Sequence, residues 1–132
     1  KKKKNDLTDI ISYLDSSGTM PKVNVDSNYD LAFKLMNENN LKQILVEDKN
    51  KKIIGVIDEK NLFSGVVANS FEAKITKNIN TNVKKVRHNL TIKKLLLIFK
   101  KESLVFVIKN RKFIGIITKN DLLCYLKRNL NA

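Results

Sequence analysis

Apolar residues along the chain recur with two spacings, and the order of these spacings is the same in both halves of the sequence. Intervals of three or four positions predict an amphipathic α-helix in each half. The apolar positions are Leu31, Ala32, Leu35 and Met36 in the first half, and Ile92, Leu95, Leu96 and Phe99 in the second. Asn89 or Thr91 can cap the start of the second helix, because both side chains accept hydrogen bonds from backbone amides.

Two short apolar runs follow each of these helices and predict a β-hairpin, because turn-prone residues separate the runs. The runs are 43–46 and 53–57 in the first half, and 105–108 and 113–117 in the second. A closing helix is predicted after each hairpin, from Glu59 to about Asn69 and from Lys119 to about Leu130. Short extended segments, 22–25 and 84–87, precede the first helix of each half.

One further helix is predicted at the front of the chain from the spacing of Leu7, Ile10, Ile11 and Leu14.

The two halves are also similar residue by residue, which indicates an internal duplication. The segment 53–63 matches the segment 113–123 at a displacement of 60, with Gly55 opposite Gly115. Earlier in each half the best displacement is 61, with Asn28 opposite Asn89. A one-residue gap in a loop accounts for the difference.

Length and composition are typical of one globular domain. The chain has 132 residues, of which 42% are hydrophobic and 30% charged, so it can bury a core. No run approaches the roughly 20 apolar residues of a membrane span, and residues 1–4 do not resemble a signal peptide. We therefore expect a cytoplasmic protein without a membrane partner. The one cysteine, Cys124, lies among leucines and is expected to be buried and inert.

The net charge of +13 raises nucleic acid as a partner, because basic proteins attract polyanions. The lysines are scattered over the whole sequence, and the aromatic residues mostly occupy positions with core periodicity instead of forming a stacking surface. Nucleic-acid binding is therefore the least favoured of the functions considered. The run Lys1 to Lys4 is expected to be a solvated tail or the end of a linker.

No residue pattern predicts a catalytic centre or a metal site. His88 has no cysteine or acidic neighbour at the spacing of metal ligands, and the four glycines do not form a phosphate-binding loop. We expect this chain not to be an enzyme.

The order strand, helix, strand, strand, helix, together with the sequence GIITKNDLL at 115–123, resembles the CBS domain. The pair of copies resembles a Bateman module, with a basic tail and leading helix in 1–20, one repeat in 21–70 and the other in 71–132. The resemblance implies an α/β fold of two β-α-β-β-α repeats related by a pseudo-twofold axis, and a flat homodimer.

The segments GVIDEKNLF at 55–63 and FIGIITKNDLLCYLKR at 113–128 also resemble the regulatory tail of bacterial-type cystathionine β-synthase. That enzyme uses pyridoxal phosphate, which needs a Schiff-base lysine in a large catalytic domain. We therefore expect no cofactor in this chain and an attached catalytic domain in the parent protein.

The resemblance assigns a ligand role to Thr118 and Asp121. In such families the aspartate accepts hydrogen bonds from the ribose hydroxyls of an adenosine ligand, and the threonine contacts ribose or phosphate. The same spacing is also that of a capping box, in which both side chains satisfy the amides of their own helix. Both interpretations are open at this point.

The resemblance also assigns the start of the facing hairpin, about Asn40 to Gln43, to the cleft served by Thr118 and Asp121. Gln43 is larger than the small residue common at its position. In the first copy Asp58 and Asn61 replace the threonine and the aspartate, so that cleft is expected to be degenerate.

Three functions therefore compete: a sensor of AMP, ATP or S-adenosylmethionine, a purely structural dimerisation module, and a nucleic-acid binding module. The net charge of +13 favours a phosphorylated ligand over a sulfonium cation.

Overall fold

In the computed structural model of the chain, residues 7–11, 13–14 and 20–130 are described. Their strands and α-helices, in chain order, are β1 (Tyr13–Leu14), β2 (Lys22–Asn24), α1 (Tyr29–Glu38), β3 (Gln43–Glu47), β4 (Ile53–Asp58), α2 (Glu59–Ala68), β5 (Lys84–Arg87), α3 (Ile92–Ile98), β6 (Leu104–Lys109), β7 (Lys112–Thr118) and α4 (Lys119–Leu130). Short 3-10 helices occur at Leu7–Asp9 and Ile75–Asn78. The predicted α/β fold with two repeats of strand, helix, strand, strand and helix is confirmed.

The chain divides into two compact units. The first unit is Pro21–Val83, and the second unit is Lys84–Ala132 together with Lys1–Met20. The first repeat, β2 to α2, lies in the first unit, and the second repeat, β5 to α4, lies in the second. The domain boundaries predicted at residues 20 and 70 stay predictions from the sequence.

The first unit contains a three-stranded sheet in the order β2-β3-β4. Strand β2 runs parallel to β3, and β3 runs antiparallel to β4. A buried cluster joins this sheet to its helices and to the 3-10 helix at Ile75–Asn78, and its members are Val23, Tyr29, Ala32, Met36, Ile44, Val46, Ile57, Leu62 and Ile75. Burial of such apolar area is the main driving force for folding.

The second unit contains a four-stranded sheet in the order β1-β7-β6-β5. Strands β5 and β6 are parallel, and β7 pairs antiparallel with both β6 and β1. The core of this unit includes two residues from the front of the chain, and its members are Leu7, Ile10, Val86, Leu95, Phe99, Val105, Val107, Ile117 and Leu122.

Each unit thus combines one repeat with the segment that precedes the other repeat in the sequence. Tyr13 pairs with Ile116 in the second unit, and Asn80 pairs with Val56 in the first unit. Val56 and Ile116 are equivalent at a displacement of 60. The leading segments, which are the segments before the first repeat and before the second repeat, therefore pair with equivalent strand positions. By the same arrangement, which we call the exchange of leading segments, Leu7 lies in the core of the second unit and Ile75 lies in the core of the first unit.

The displacement of 61 is confirmed for Val46 and Val107, because their partners are the equivalent glycines Gly55 and Gly115. It is wrong for the first strand and first helix of each repeat, which the structure aligns at 63. Asn28 caps α1 and Thr91 caps α3, each by accepting a hydrogen bond from the amide three residues later. The strand pairing gives the same displacement of 63 for Val23 and Val86, because their partners Val46 and Val107 are equivalent residues. From the start of the first helix to the hairpin, the second repeat is therefore two residues shorter: α3 has three residues fewer than α1, and the loop after it has one residue more.

The leading helix predicted from Leu7 to Leu14 is also wrong. Leu7–Asp9 forms a 3-10 helix, and Tyr13–Leu14 forms strand β1 on the edge of the second unit's sheet. Eight residues are too few for a stable isolated helix, because helix nucleation is costly. Pairing with β7 and burial of Leu7 and Ile10 stabilise the observed conformation instead.

Cys124 is exposed and not buried as predicted. The buried residues of α4 are Asp121 and Leu122, and Cys124 is two positions beyond Leu122. Two positions on a helix correspond to about 200°, so the thiol faces away from the buried side.

Candidate functional site

The strongest candidate from the sequence, Thr118 and Asp121, lies where β7 passes into α4. Thr118 is the last residue of β7, and Asp121 is in the first turn of α4. The backbone N–H of Thr118 donates to Asp121 Oδ2 at 2.8 Å, and the N–H of Asp121 donates to Thr118 Oγ1 at 3.2 Å. These reciprocal bonds form a capping box, as one of the two interpretations of the sequence predicts.

Asp121 is only 8% exposed, whereas most of the other charged side chains are at least partly solvated. Burial of a carboxylate is costly unless hydrogen bonds satisfy it. The amide of Thr118 supplies one such bond, and the positive end of the helix dipole adds favourable electrostatic energy. The box therefore fixes the carboxylate in one orientation before any ligand arrives.

The first repeat has the same geometry at the start of α2, with different chemical groups. Asn61 N–H donates to Asp58 Oδ1 at 2.8 Å, and Asp58 N–H donates to Asn61 Oδ1 at 3.2 Å. The two helix starts therefore share their capping function. What distinguishes them is that the aspartate precedes the helix in one repeat and lies inside its first turn in the other.

The charges around the two helix starts differ in sign. At the start of α2 lie the cap residue Asp58 and the first helical residue Glu59, two carboxylates that would repel a phosphate group. At the start of α4, Thr118 is followed by the first helical residue Lys119, so the exposed charge there is positive. Of the two helix starts, that of α4 is the better suited to an anion.

Gln43 begins β3 and is partly buried. In the sheet of the first unit it is the direct partner of Asp58, so the structure brings Gln43 next to the first repeat's capping box. The equivalent pair in the second unit is Leu104 and Thr118. Each hairpin start therefore lies beside the helix start of its own repeat.

Asn40 follows α1 and has a left-handed backbone conformation, with φ of 54°. Asparagine adopts this conformation more readily than most residues. It lies on the rim of a groove of about 270 Å³ between the end of α1 and the start of α2. The lining residues of this groove are Phe33, Met36, Asn37, Asn40, Leu41, Lys42, Glu59 and Leu62.

Thr118 and Asp121 belong to the second unit, and Asn40 and Gln43 belong to the first. Their joint contribution to one ligand cleft stays a prediction from the family resemblance.

Within 7–11, 13–14 and 20–130, no three histidine, cysteine or acidic side chains are grouped as metal ligands would be. In the same part of the chain, every helix is too short or too polar to cross a membrane.

Comparison of the sequence with known families gives a match to the CBS domain in two segments, 17–68 and 75–128. These segments agree with the two repeats seen in the structure and together cover more than half of the chain. No curated protein matches the sequence at a significant level.

Several solved structures share the fold. A putative acetoin utilization protein (AcuB) from Vibrio cholerae is similar with a TM-score of 0.80 at 19% identity, over 98% of this chain and 95% of that one. A putative signal-transduction protein with CBS domains from Burkholderia ambifaria gives 0.79 at 21% identity, over 94% and 95% of the two chains. The structure of CBSX2 in complex with AMP gives 0.75 at 17% identity, over 95% and 98%.

Proposed function

The chain belongs to the CBS domain family, and from this premise we propose that it is a non-catalytic regulatory module that binds an adenosine ligand at the start of α4. Thr118 and Asp121 are the proposed contacts. The observation that carries the proposal is the buried carboxylate of Asp121, held in a fixed orientation by the amide of Thr118.

The chemistry of the two side chains supports this role. A carboxylate accepts several hydrogen bonds and can bind both hydroxyls of a ribose. The threonine hydroxyl and the first amides of α4 would lie near a phosphate group. The same position in the first repeat holds Asn61, a neutral amide, beside the carboxylates of Asp58 and Glu59, so we propose that its cleft is degenerate.

AMP or ATP is the preferred ligand in this proposal, and S-adenosylmethionine is the alternative. The net charge of +13 attracts phosphorylated ligands and repels a sulfonium cation. That CBSX2, a protein with the same fold, was crystallised with AMP supports an adenosine ligand of this class.

The proposal is tested by a thermal-shift screen of AMP, ADP, ATP and S-adenosylmethionine, followed by calorimetric titration. A ligand at about 100 times its Kd adds about 2.7 kcal/mol to the free energy of unfolding, which raises the melting temperature by several degrees. No shift with any of the four at millimolar concentration would overturn the ligand proposal.

Substitution identifies the site within that experiment. Asp121→Asn keeps an oxygen acceptor for the amide of Thr118 and removes the charge, so the free energy of unfolding should change little while ligand affinity falls at least about tenfold. The matched control is Asn61→Ala at the corresponding position of the first repeat, which should leave affinity unchanged. If Asn61→Ala were the more damaging to binding, the site would belong to the first repeat.

The finer proposal concerns the parent protein. The similarity of segments 55–63 and 113–128 to the regulatory tail of cystathionine β-synthase supports attachment to that enzyme in the cytoplasm. Ligand binding would then alter activity by stabilising one state of the enzyme over another. Sequencing the reading frame upstream of Lys1 tests this: a frame encoding a different enzyme or a transporter would contradict it.

A second candidate function, dimerisation, is supported by apolar side chains on the surface of the first unit. Phe63 and Val67 lie one turn apart on α2 and are 71% and 68% exposed. Neighbouring exposed apolar residues on a small protein are typical of a contact with another chain.

A further inference from the structure

The positive charge of the chain is concentrated in the second repeat, because the acidic residues are not evenly distributed. Residues 84–132 contain 13 lysines and arginines and only two acidic residues. Residues 21–83 contain nine lysines and eight acidic residues, so their charges nearly cancel. Almost all of the net charge of +13 therefore belongs to the second unit.

Part of this charge lines an open groove beside β5 and the start of α3, with a volume of about 400 Å³. Four of its lining residues are cations, namely Lys84, Lys85, Arg87 and Lys94. The other lining residues are Val86, Asn89, Leu90, Thr91 and Ile98, so none of the described residues around the groove is acidic.

The backbone that carries these cations is well ordered by hydrogen bonds. Lys84 to Arg87 form β5, which pairs in parallel with β6 over its whole length at the edge of the sheet. Val86 anchors this strand with a buried side chain, and Lys94 N–H donates to Thr91 Oγ1 in the first turn of α3. The four exposed cations are thus held around one depression by a rigid strand and a capped helix.

The first repeat has no comparable feature at the corresponding positions. At the displacement of 63, the equivalents of the four cations are Pro21, Lys22, Asn24 and Leu31. The basic groove is therefore a property of these residues and not a consequence of the fold.

We propose that the groove of the second unit is a binding site for a small anion that carries several phosphate groups. Four cations around one depression repel each other, and an oligophosphate bound among them would replace that repulsion with attraction. Arg87 can donate two parallel hydrogen bonds to a phosphate, and the lysines supply further donors. The volume lies in the range of small-ligand pockets, about 300–1,000 Å³, which favours a compact anion.

The test is calorimetric titration of the chain with inorganic triphosphate at about 150 mM salt, where interactions between distant surface charges are largely screened. We expect saturable binding of one triphosphate per chain. The double variant Lys85→Gln/Arg87→Gln should weaken it by about tenfold or more, because charge-assisted hydrogen bonds are lost. The matched control is Lys127→Gln/Arg128→Gln, which removes the same two residue types from the end of α4 and should change affinity less than about twofold.

Equal weakening by the two double variants would overturn the proposal, since it would show attraction by net charge without a site. Binding of a single-stranded oligonucleotide without binding of triphosphate would also overturn it and would identify an extended polyanion as the ligand. If the circular dichroism of Lys85→Gln/Arg87→Gln showed a folding defect, Lys84→Gln/Lys94→Gln would serve in its place. Asp121→Asn should keep triphosphate binding, and adenosine should not compete, so failure of the adenosine proposal would be separately visible.

Discussion

Tyr29 and Gly65 form a close contact in the first repeat that has no identical counterpart in the second. The ring of Tyr29 is fully buried against the backbone of Gly65, and the Tyr29 hydroxyl accepts a hydrogen bond from Asn78 Nδ2. In the second repeat the equivalent positions are Ile92 and Tyr125, and both pack against the core. The aromatic residue is therefore in the first helix of the first repeat and in the closing helix of the second repeat.

Gly65→Ala should therefore destabilise the protein. The added Cβ would overlap the ring of Tyr29, which is fully buried and has no solvent space to move into. Overpacking of this kind costs about 1–3 kcal/mol and outweighs the gain in helix propensity, which is at most about 1 kcal/mol. Urea unfolding measures the difference.

The control for Gly65→Ala is Ser64→Ala, an exposed neighbour on the same helix, whose effect should stay within about 0.5 kcal/mol. A Gly65→Ala variant as stable as the parent would mean that Tyr29 can repack.

A second prediction for single residues concerns the two capping boxes. Asp121→Ala and Asn61→Ala each remove the side chain that accepts from the amide at the start of the helix. Each should lower the free energy of unfolding by about 0.5–2 kcal/mol, by analogy with deletions of N-cap residues. The loss should be larger for Asp121, because the amide of Thr118 would lose a charged acceptor. Chemical unfolding of both variants without ligand checks this, and a smaller loss for Asp121→Ala would contradict it.

The spacing Thr118-x-x-Asp121 was sufficient to predict the observed hydrogen bonds, because a capping box depends only on residues three positions apart. The contact of Tyr29 with Gly65 could not be predicted in this way. It depends on how two helices pack, and neither residue carries a local signal for its partner.

Among the elements, the closing helices were predicted most accurately, at Glu59–Ala68 and Lys119–Leu130. Each has a strong start signal directly after a hydrophobic strand. The front of the chain was predicted wrongly, because the apolar spacing of 7–14 fits a helix while the observed structure depends on pairing with β7, about 100 residues later. The displacement of 61 failed at the start of each repeat because chance matches such as Asn28 with Asn89 concealed the equivalence of the two caps, Asn28 and Thr91.

Leu7→Ala tests whether the leading segment is part of the second unit's core. Leu7 is fully buried in the same cluster as Leu95 and Phe99. Its truncation should cost about 2–5 kcal/mol, comparable to Leu95→Ala. The control is Leu97→Ala, an exposed leucine on α3, which should change stability by less than about 0.5 kcal/mol at low protein concentration. A neutral Leu7→Ala in thermal or urea unfolding would mean that the segment contributes little.

At the scale of the whole molecule, the exposed apolar side chains predict self-association. Analytical ultracentrifugation at tens of micromolar should detect a dimer of the chain. Phe63→Lys should shift it toward monomer, because a charge in an apolar contact is costly to bury. Ser64→Lys adds the same charge one residue away on α2 and is the matched control. A monomeric parent protein, or equal dissociation by both variants, would contradict a dimer contact through Phe63.

The amino-acid composition gives the total charge of the chain but not how that charge is divided between the two repeats. The lysines are scattered over the sequence, yet only two acidic residues follow residue 83. Counting acidic residues separately in each repeat would have revealed the basic second unit without a structure. That the cations Lys84, Lys85, Arg87 and Lys94 border one groove required the pairing of β5 with β6 and the start of α3.

The exchange of leading segments between the repeats has a consequence for synthesis on the ribosome. Tyr13 leaves the ribosome about 100 residues before its partner Ile116. At about 5–20 residues per second, the front of the chain spends roughly 5–20 s without the strand that it pairs with. The first repeat pairs with a segment that ends near Asn80, so all the residues of the first unit are made early enough to fold in that interval. Nascent chains should therefore acquire structure in two stages, with β1 pairing only after the first repeat, which follows it in the sequence, has folded.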